Sequence, residues 1–537
     1  MKLNANDIIE KYDYIDVLKI MDGYRVHNSV CGLILKVDKF TALVLSLING
    51  CCTYNELKLR IEKSLGEDYL YENDIINIII SLYHLQYLNI KFSKKKPTIL
   101  LINPCYRYPN SVYKELTITP PLGILSIGAL LFEKGYDVHL LDMLVEDIRP
   151  EDLSKWIKKI KPDIVGISMN FTSTANICME IARILKSLLV KTIFVGGNHA
   201  TFTYEKILED KNVDYVIRFQ GEETVLELIE TLKHKDKSML TECKGIAYRN
   251  HDKIVVTDRR QIPQNLNNMP LPKWMLLPMS KYPKDLRWSL ITSQGCPCAC
   301  TFCSTSAFNN GKKVIFMSVP EIIKRIKGII NLQYEDTTLS ISFSDDAFTY
   351  NRERVIELCR RILKENLKFI WACSTRVDLI DEELIDIMYK AGCRNILFGI
   401  ESCSNKVLKT IGKRINIEQA KRSIEIVKRR GIKVKEMFIL GLPYESNETL
   451  NLIEDFFKET KPDEIRFGLL AVYPGTPLWN HSEKFGINIL SKNWSDYEML
   501  RPISNNTILS AEELYIKYIE FTEKYENTTK KNEIKII

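Results

Sequence analysis

From residue 97 onward the chain alternates short aliphatic runs with stretches in which apolar residues recur every three or four positions. The runs at 98–103, 137–141, 164–168 and 192–196 are continuously apolar rather than alternating, as strands covered on both faces must be. Helical periodicity fills 123–132, 153–160 and 175–189, so residues 97–235 predict a doubly wound parallel sheet. A hairpin at Gly245-Ile-Ala-Tyr-Arg and a proline-rich connector through 263–283 occupy 236–285. The strand-helix cadence then resumes at 288–292, 339–343, 369–374, 395–399, 434–440 and 464–470. Six such strands, most followed by an amphipathic helix, predict a partial (βα)6 barrel over 286–480. A helical segment follows over 481–537, its polar stretch 527–531 expected to fray.

Residues 1–93 keep a different rhythm. Tyr24-Arg-Val-His-Asn and Gly32-Leu-Ile-Leu-Lys-Val37 read as strands joined by a turn. Helices are expected over 39–48, over 54–65 behind a Thr53 cap, and over 73–87, where Ile76, Ile79, Ile80, Tyr83 and Tyr87 share a face. Two strands and three helices make a small winged-helix-like unit, and the whole chain is α/β.

At 537 residues the chain is too long for one core, in line with this division. Its 45% hydrophobic and 27% charged residues are those of a soluble globular protein, and no apolar run reaches the roughly 18 residues a membrane span needs. The opening Met1-Lys-Leu-Asn-Ala-Asn-Asp has no signal-peptide core, so the expected compartment is the cytoplasm, with no membrane partner. A net charge of +7 is mild, and the basic run Lys94-Lys-Lys96 reads as a solvated linker, so no nucleic-acid partner is expected. Of 14 cysteines most are scattered and read as small buried apolar residues of a reducing compartment.

One stretch departs from that scatter. In Ser293-Gln-Gly-Cys-Pro-Cys-Ala-Cys-Thr-Phe-Cys303, the thiols of Cys296, Cys300 and Cys303 fall at three-then-two spacing on one loop, directly after an apolar strand. Three thiolates can hold three corners of a cubane iron–sulfur cluster and leave the fourth iron open to a reacting molecule. The strand's carboxyl end is where barrel enzymes keep their chemistry. Counting Cys298 as well, four cysteines could make a zinc site, although zinc sites usually pair thiols from two places; Cys298 reads more simply as a spectator.

Cys296-x3-Cys300-Thr-Phe302-Cys303 resembles the radical S-adenosylmethionine (SAM) enzymes, and the likeness continues in order from about residue 286 to 480. The resemblance implies a [4Fe–4S] cluster whose open iron chelates SAM, one-electron cleavage to a 5'-deoxyadenosyl radical, and a flavodoxin or ferredoxin-type electron donor. Phe302, Ser344 at the end of the second barrel strand, Glu401 in Gly399-Ile-Glu and Gly441 in Gly441-Leu-Pro443 would lie at the SAM site. Asp345, Arg376 and Tyr473 are the candidate catalytic residues. Each has a plainer reading, as a helix-terminal charge, a surface ion pair or an ordinary turn.

The preceding sheet resembles the cobalamin-binding domain found ahead of many radical SAM cores. The candidate cobalamin contacts lie beyond the strand ends: Pro120, Pro121 and Leu122; Ser168 and Asn170; Gly196, Gly197, His199 and Thr201; Gly221 and Glu222. The Asp-x-His-x-x-Gly motif that gives a histidine to cobalt in other cobalamin proteins is missing, so the lower face of the cobalt is open or weakly met. His199 is a candidate there, or a loop histidine bonded to backbone. Residues 1–93 resemble the peptide-recognition element of ribosomal-peptide-modifying enzymes, which binds a leader peptide as an added strand.

Taken together, these likenesses imply a cobalamin-dependent enzyme that methylates an unactivated carbon, with a ribosomally made precursor peptide as substrate. Two other readings stay open. The same radical could drive cyclisation, cross-linking or rearrangement, or the chain could be a non-enzymatic cobalamin or redox sensor.

Overall fold

The computed structural model describes residues 8–11, 15–20, 23–28, 33–37, 39–48, 51–65, 79, 88–91, 96–104, 118–234, 237–309, 313–332 and 338–526. In the N-terminal module, β1 (Ile8–Lys11) is followed by an antiparallel meander of β2 (Ile15–Ile20), β3 (Gly23–Asn28) and β4 (Leu33–Val37). β5 (Cys51–Thr53) and β6 (Leu88–Lys91) flank β1 in a second small sheet. Helices Lys39–Leu47 and Tyr54–Leu65 bury Val44, Leu45, Leu57 and Ile61 against Ile9. Thr53 begins the second helix by reciprocal capping: its hydroxyl accepts from Glu56 N–H, and the Glu56 carboxylate accepts from Thr53 N–H.

One expectation changes here. The two strands read from the sequence are joined by a third, β2, which pairs with the other side of the strand containing Tyr24. The outer strands are β2 and β4, and β4 lies against the barrel helix Val319–Leu332. The helix expected over 73–87 lies outside the described residues, apart from Ile79.

The next unit is a seven-stranded sheet. Its parallel strands β7 (Thr98–Asn103), β8 (Asp137–Asp142), β9 (Ile164–Ser168), β10 (Thr192–Gly196) and β11 (Tyr215–Ile217) run in the order β8-β7-β9-β10-β11. The hairpin β12 (Ile246–Asn250) and β13 (Lys253–Val256) extends it antiparallel from β11, so the hairpin belongs to this sheet rather than to a separate connector. The strand order reverses between β7 and β9, and doubly wound sheets bind ligands beyond the carboxyl ends at such a point. The connector is fastened here: the Tyr282 hydroxyl donates to Asp142 at the end of β8 (2.6 Å), with both side chains buried.

The last unit contains β14 (Trp288–Leu290), a short pair of β15 (Ser293–Gln294) with β16 (Ile315–Phe316), then β17 (Ser340–Phe343), β18 (Ile370–Thr375), β19 (Cys393–Glu401), β20 (Lys433–Leu440) and β21 (Glu464–Leu469). Apart from β15 and β16, all are parallel and in chain order, an open six-stranded barrel wrapped by its helices. β18 buries alternate residues, Trp371, Cys373 and Thr375, and Phe343, Phe348 and Trp371 pack together beneath the mouth. The C-terminal segment adds a small pair, β22 (Ile487–Ile489) with β23 (Ser504–Asn506), and a helix at Ala511–Phe521.

The carboxyl ends of the two sheets meet. Asn198 after β10 donates to Ser304 Oγ in the barrel (3.4 Å), and Phe202 packs so tightly on Gly475 that a Cβ there would clash with its ring. Phe219 after β11 faces Phe308. Asn176 bonds Asn493 and Ser495, and His199 stacks edge-on with Trp494, so the C-terminal segment closes one side of the seam.

Candidate functional site: the seam between sheet and barrel

The cysteine loop leaves β15 and is clamped at both ends by two consecutive carboxylates that follow β17. Asp345 accepts from Thr292 N–H and Thr292 Oγ1 (each 2.6 Å) and from Ser293 Oγ (2.7 Å), and it faces Arg354 at 3.5 Å. Arg354 also donates to the Thr292 carbonyl. Asp346 accepts from Gly295 N–H (3.0 Å) and from Thr305 Oγ1 (3.2 Å), in the helix that follows Cys303. Gly295 itself sits at φ +98, where a Cβ would meet the Lys313 carbonyl.

This corrects one expectation. Asp345 has a side chain with 0% exposure and both oxygens occupied, so it positions the loop and is not a catalytic group. Ser344, one residue earlier, is exposed at the strand end.

Two cations lie beside the thiols. Arg376, buried after β18, forks onto Asp378 (2.8 and 2.9 Å) and donates to the Lys413 carbonyl. Lys413 Nζ bonds Glu401 at 2.8 Å. Burial pushes the Cys300 thiol up to about 11 against the pull of Lys413 and Arg376. Cys298 moves the other way, to about 6, first through the hydrogen bond from the Cys296 thiol, with Arg376 and Lys413 acting in the same direction. The two cations thus pull toward thiolate, the form that binds iron, but burial outweighs them at Cys300, and Cys296 is raised too, first by its hydrogen bond to Cys298.

The donor set fits a [4Fe–4S] cluster. The corners of a cubane are separated by the cluster's own width, so Cys296, Cys300 and Cys303 have no need to converge. The loop is also held from the opposite side: Thr301 N–H donates to the Ile411 carbonyl, and Leu478 N–H donates to the Thr301 carbonyl.

Glu401 closes β19 at a bulge, with φ +71, a strained conformation for a non-glycine residue costing on the order of 1–3 kcal/mol. Gly399 makes the bend possible, because a Cβ there would overlap the Glu401 carboxylate. Gly441 (φ +92) and Leu442 donate their N–H groups to Glu445, a buried carboxyl pushed up to about 8 by burial. Asn506 in β23 bonds the Leu442 and Glu445 carbonyls, tying the C-terminal segment to this loop. Phe302 and Tyr473 are half-buried, and burial raises the Tyr473 phenol to about 12, so it stays protonated at neutral pH. Lys413 and Glu445 had escaped the sequence reading. A signal was present for Glu445, which stands four residues beyond the glycine of Gly441-Leu-Pro443.

Across the seam, Pro120, Pro121, Leu122, Ser168, Asn170, Gly196, Gly197, Gly221 and Glu222 all lie at the carboxyl ends of β7, β9, β10 and β11. Gly123 opens onto free space, and the Oδ1 of Asn198 is buried without a partner, leaving an acceptor for an incoming donor. These features fit a cobalamin whose amide side chains need acceptors. Two expectations are corrected. Thr201 has no exposed surface, its hydroxyl donating to the Gly197 carbonyl and accepting from Phe219 N–H. His199 is 4% exposed, with Nδ1 at 3.0 Å from Thr172 Oγ1 and its ring against Trp494, and burial lowers its pKa to about 4. Both side chains are occupied by protein contacts and shape the loops rather than contact a ligand.

Two predictions follow from the loop. Alanine in place of Cys296, Cys300 or Cys303 should abolish the visible absorption of the reconstituted cluster and its iron, whereas Cys298→Ala should keep both; loss of iron from Cys298→Ala would refute the ligand set. Asp345→Asn leaves Arg354 without its buried counter-charge, a change worth about 3–5 kcal/mol. Thermal melting should show a lower Tm together with reduced iron retention, and an unchanged melt would show that the clamp does not hold the loop.

The comparisons with known proteins agree with this arrangement. The radical SAM superfamily pattern matches residues 290–457, and the B12 binding domain pattern matches residues 114–229. An uncharacterized methyltransferase, PH0819, of Pyrococcus horikoshii is 34% identical over 402 residues, covering 74% of this chain and 86% of its own. Among solved structures, the radical SAM methyltransferase TsrM of Kitasatospora setae, with cobalamin and a [4Fe–4S] cluster bound, superposes with TM-score 0.61 at 16% identity, covering 79% of this chain and 82% of that one. The cobalamin-dependent SAM radical enzyme OxsB, with aqua-cobalamin and SAM bound, gives 0.59 at 21% identity, covering 96% and 71%. With its cluster loop, its B12-type sheet and a relative of this likeness, the chain belongs to the cobalamin-binding radical SAM enzymes of methyltransferase type, with a [4Fe–4S] cluster, SAM and cobalamin as cofactors.

Proposed function

We propose that this enzyme methylates an unactivated carbon of a ribosomally made precursor peptide, with the peptide's leader held by residues 1–93. The observation that supports the methylation reading is the meeting of the two sheet ends through Asn198 with Ser304 and Phe202 with Gly475, which brings the cobalamin loops beside the cysteine loop; on this reading the two share one chamber. The cofactors supply radical generation and the methyl group; the protein's part is to hold, orient and exclude water. Cys296, Cys300 and Cys303 hold the cluster, with Phe302, Ser344, Glu401 and Gly441 around SAM. Lys413 fixes the Glu401 carboxylate, and Arg376 supplies positive charge beside the thiols. Tyr473, a phenol that keeps its proton, stands in the turn that meets the cobalamin domain. Pro120, Pro121, Leu122, Ser168, Asn170, Gly196, Gly197, Gly221 and Glu222 shape the cobalamin seat. The electron donor is a flavodoxin or ferredoxin-type protein.

The peptide reading is supported by the meander β2-β3-β4, whose outer strands pair with no further strand among the described residues and would offer main-chain hydrogen bonds to an added one. Because β4 lies near the barrel helix Val319–Leu332, a strand held on this module would be tethered close to the barrel, raising the effective concentration of the core peptide. A second reading takes a small metabolite. It is favoured by the OxsB alignment, which covers 96% of this chain and so leaves little of residues 1–93 without a counterpart, and by TsrM having been solved with a tryptophan substrate.

The test uses reconstituted enzyme, deuterated-methyl SAM and a precursor peptide encoded beside its gene. One labelled methyl in the core peptide per 5'-deoxyadenosine, lost when residues 1–93 are deleted while SAM cleavage persists, is the expected result. Product without label would eliminate methylation in favour of cyclisation or cross-linking. Equal modification by the truncated chain would eliminate leader binding and favour the small-metabolite reading.

A further inference from the structure

Beyond β11 the chain places two arginines around one aromatic ring without giving either a carboxylate. Arg218 lies 5.2 Å from the Phe219 ring centroid and 4.5 Å from that of Tyr204; Arg259, which follows β13, lies 3.7 Å from the Phe219 ring. Among the described residues neither has a carboxylate within 4.0 Å. Glu205 is the nearest acid acting on Arg218, and it accepts from the Tyr204 hydroxyl (3.3 Å). Arg259 donates to the Phe308 carbonyl (2.5 Å), leaving its Nε buried and unbonded. Arg218 Nε and Gln220 Nε2 are likewise buried without partners.

The backbone is committed to this arrangement. Phe219 adopts φ +64, a conformation that costs a bulky residue about 1–3 kcal/mol, fixed by its N–H bond to Thr201 and by packing on Phe202 and Phe308. The strain holds the ring beside both guanidiniums, at the carboxyl end of a parallel strand and against the helix that follows Cys303. Like charges on one ring repel, and burial disfavours both; Arg259 is held below its usual range first by burial and then by Arg218. A pair of cations with three unused buried N–H donors is a receptor for an oxyanion.

We propose that Arg218 and Arg259, with Gln220, form an oxyanion subsite in the seam that takes a phosphate or carboxylate of a bound molecule. This rests on the reading of the seam as the shared ligand chamber. Two sources offer such a group: the phosphodiester of cobalamin's nucleotide tail, and an anionic group on the substrate.

The experiment compares the full chain with an Arg218→Gln/Arg259→Gln variant, using an Arg218→Lys/Arg259→Lys variant to restore charge. Binding constants for cobalamin and for cobinamide, which lacks the nucleotide and its phosphodiester, are measured without SAM. If the cofactor supplies the anion, the glutamine variant should bind cobalamin about 10- to 100-fold more weakly, keep its cobinamide affinity, and recover part of the loss with lysine. If the substrate supplies it, cobalamin affinity stays constant, while inorganic phosphate should stabilise the cobalamin-loaded wild type and not the glutamine variant in thermal melting. Equal weakening for cobalamin and cobinamide would mark the arginines as structural and overturn the proposal, as would no difference in either measurement. Retained cobinamide binding separates this outcome from failure of the chamber itself; should the double variant not fold, Arg218→Gln alone serves.

Discussion

The barrel mouth depends on one buried carboxylate. Asp345 joins the end of β17 to the first residues of the cysteine loop through three short hydrogen bonds, and its neighbour Asp346 holds the loop's glycine and the helix beyond it. A loop carrying thiols has little apolar surface of its own to bury, so its shape has to come from such polar clamps. Arg354 offsets the charge, and its stacking near Phe316 and Phe348 joins the clamp to the aromatic layer below. Loss of either partner leaves the other charged and buried, which is why the arrangement behaves as a unit.

The second constraint is the seam. Small side chains and glycines at the ends of β9 and β10 let backbone approach backbone: a Cβ on Gly197 would overlap the main chain of Asn170. The same economy appears at Gly475, which leaves room for Phe202. Polar bonds cross the seam at Asn176 with Asn493 and Ser495 (2.7 and 2.9 Å), at Arg259 with the Phe308 carbonyl, and more loosely at Asn198 with Ser304 (3.4 Å). Aromatic contacts of Phe219 with Phe308 and of His199 with Trp494 add to them. An interface of this kind brings the candidate residues for two cofactors to one seam.

Much of the fold was legible because it is repetitive. Buried parallel strands announce themselves as aliphatic runs, and β7, β9 and β10 fall at the expected bounds. β2 was missed because Ile15–Ile20 alternates apolar and polar residues irregularly, and its strand character comes from pairing with β3. The cysteine spacing pointed to the candidate cluster loop, because metal ligation restricts residue type as well as spacing. Asp345, Thr201 and His199 were misread for a common reason. A polar residue at a strand end looks the same in sequence whether it faces ligand or backbone, and only its partners decide. Lys413 went unread because its role arises from a contact with Glu401 in another element, whereas Glu445 carried a local signal, four residues beyond Gly441, that was not taken up.

The central claim is that the cysteine loop and the cobalamin loops open onto one chamber. It is tested most directly by electron paramagnetic resonance of the enzyme with its cluster reduced and its cobalamin in the paramagnetic Co(II) state. The account predicts that each signal is split or broadened by the other, relative to samples holding one paramagnet alone. A spectrum equal to the plain sum of the two separate signals would contradict it.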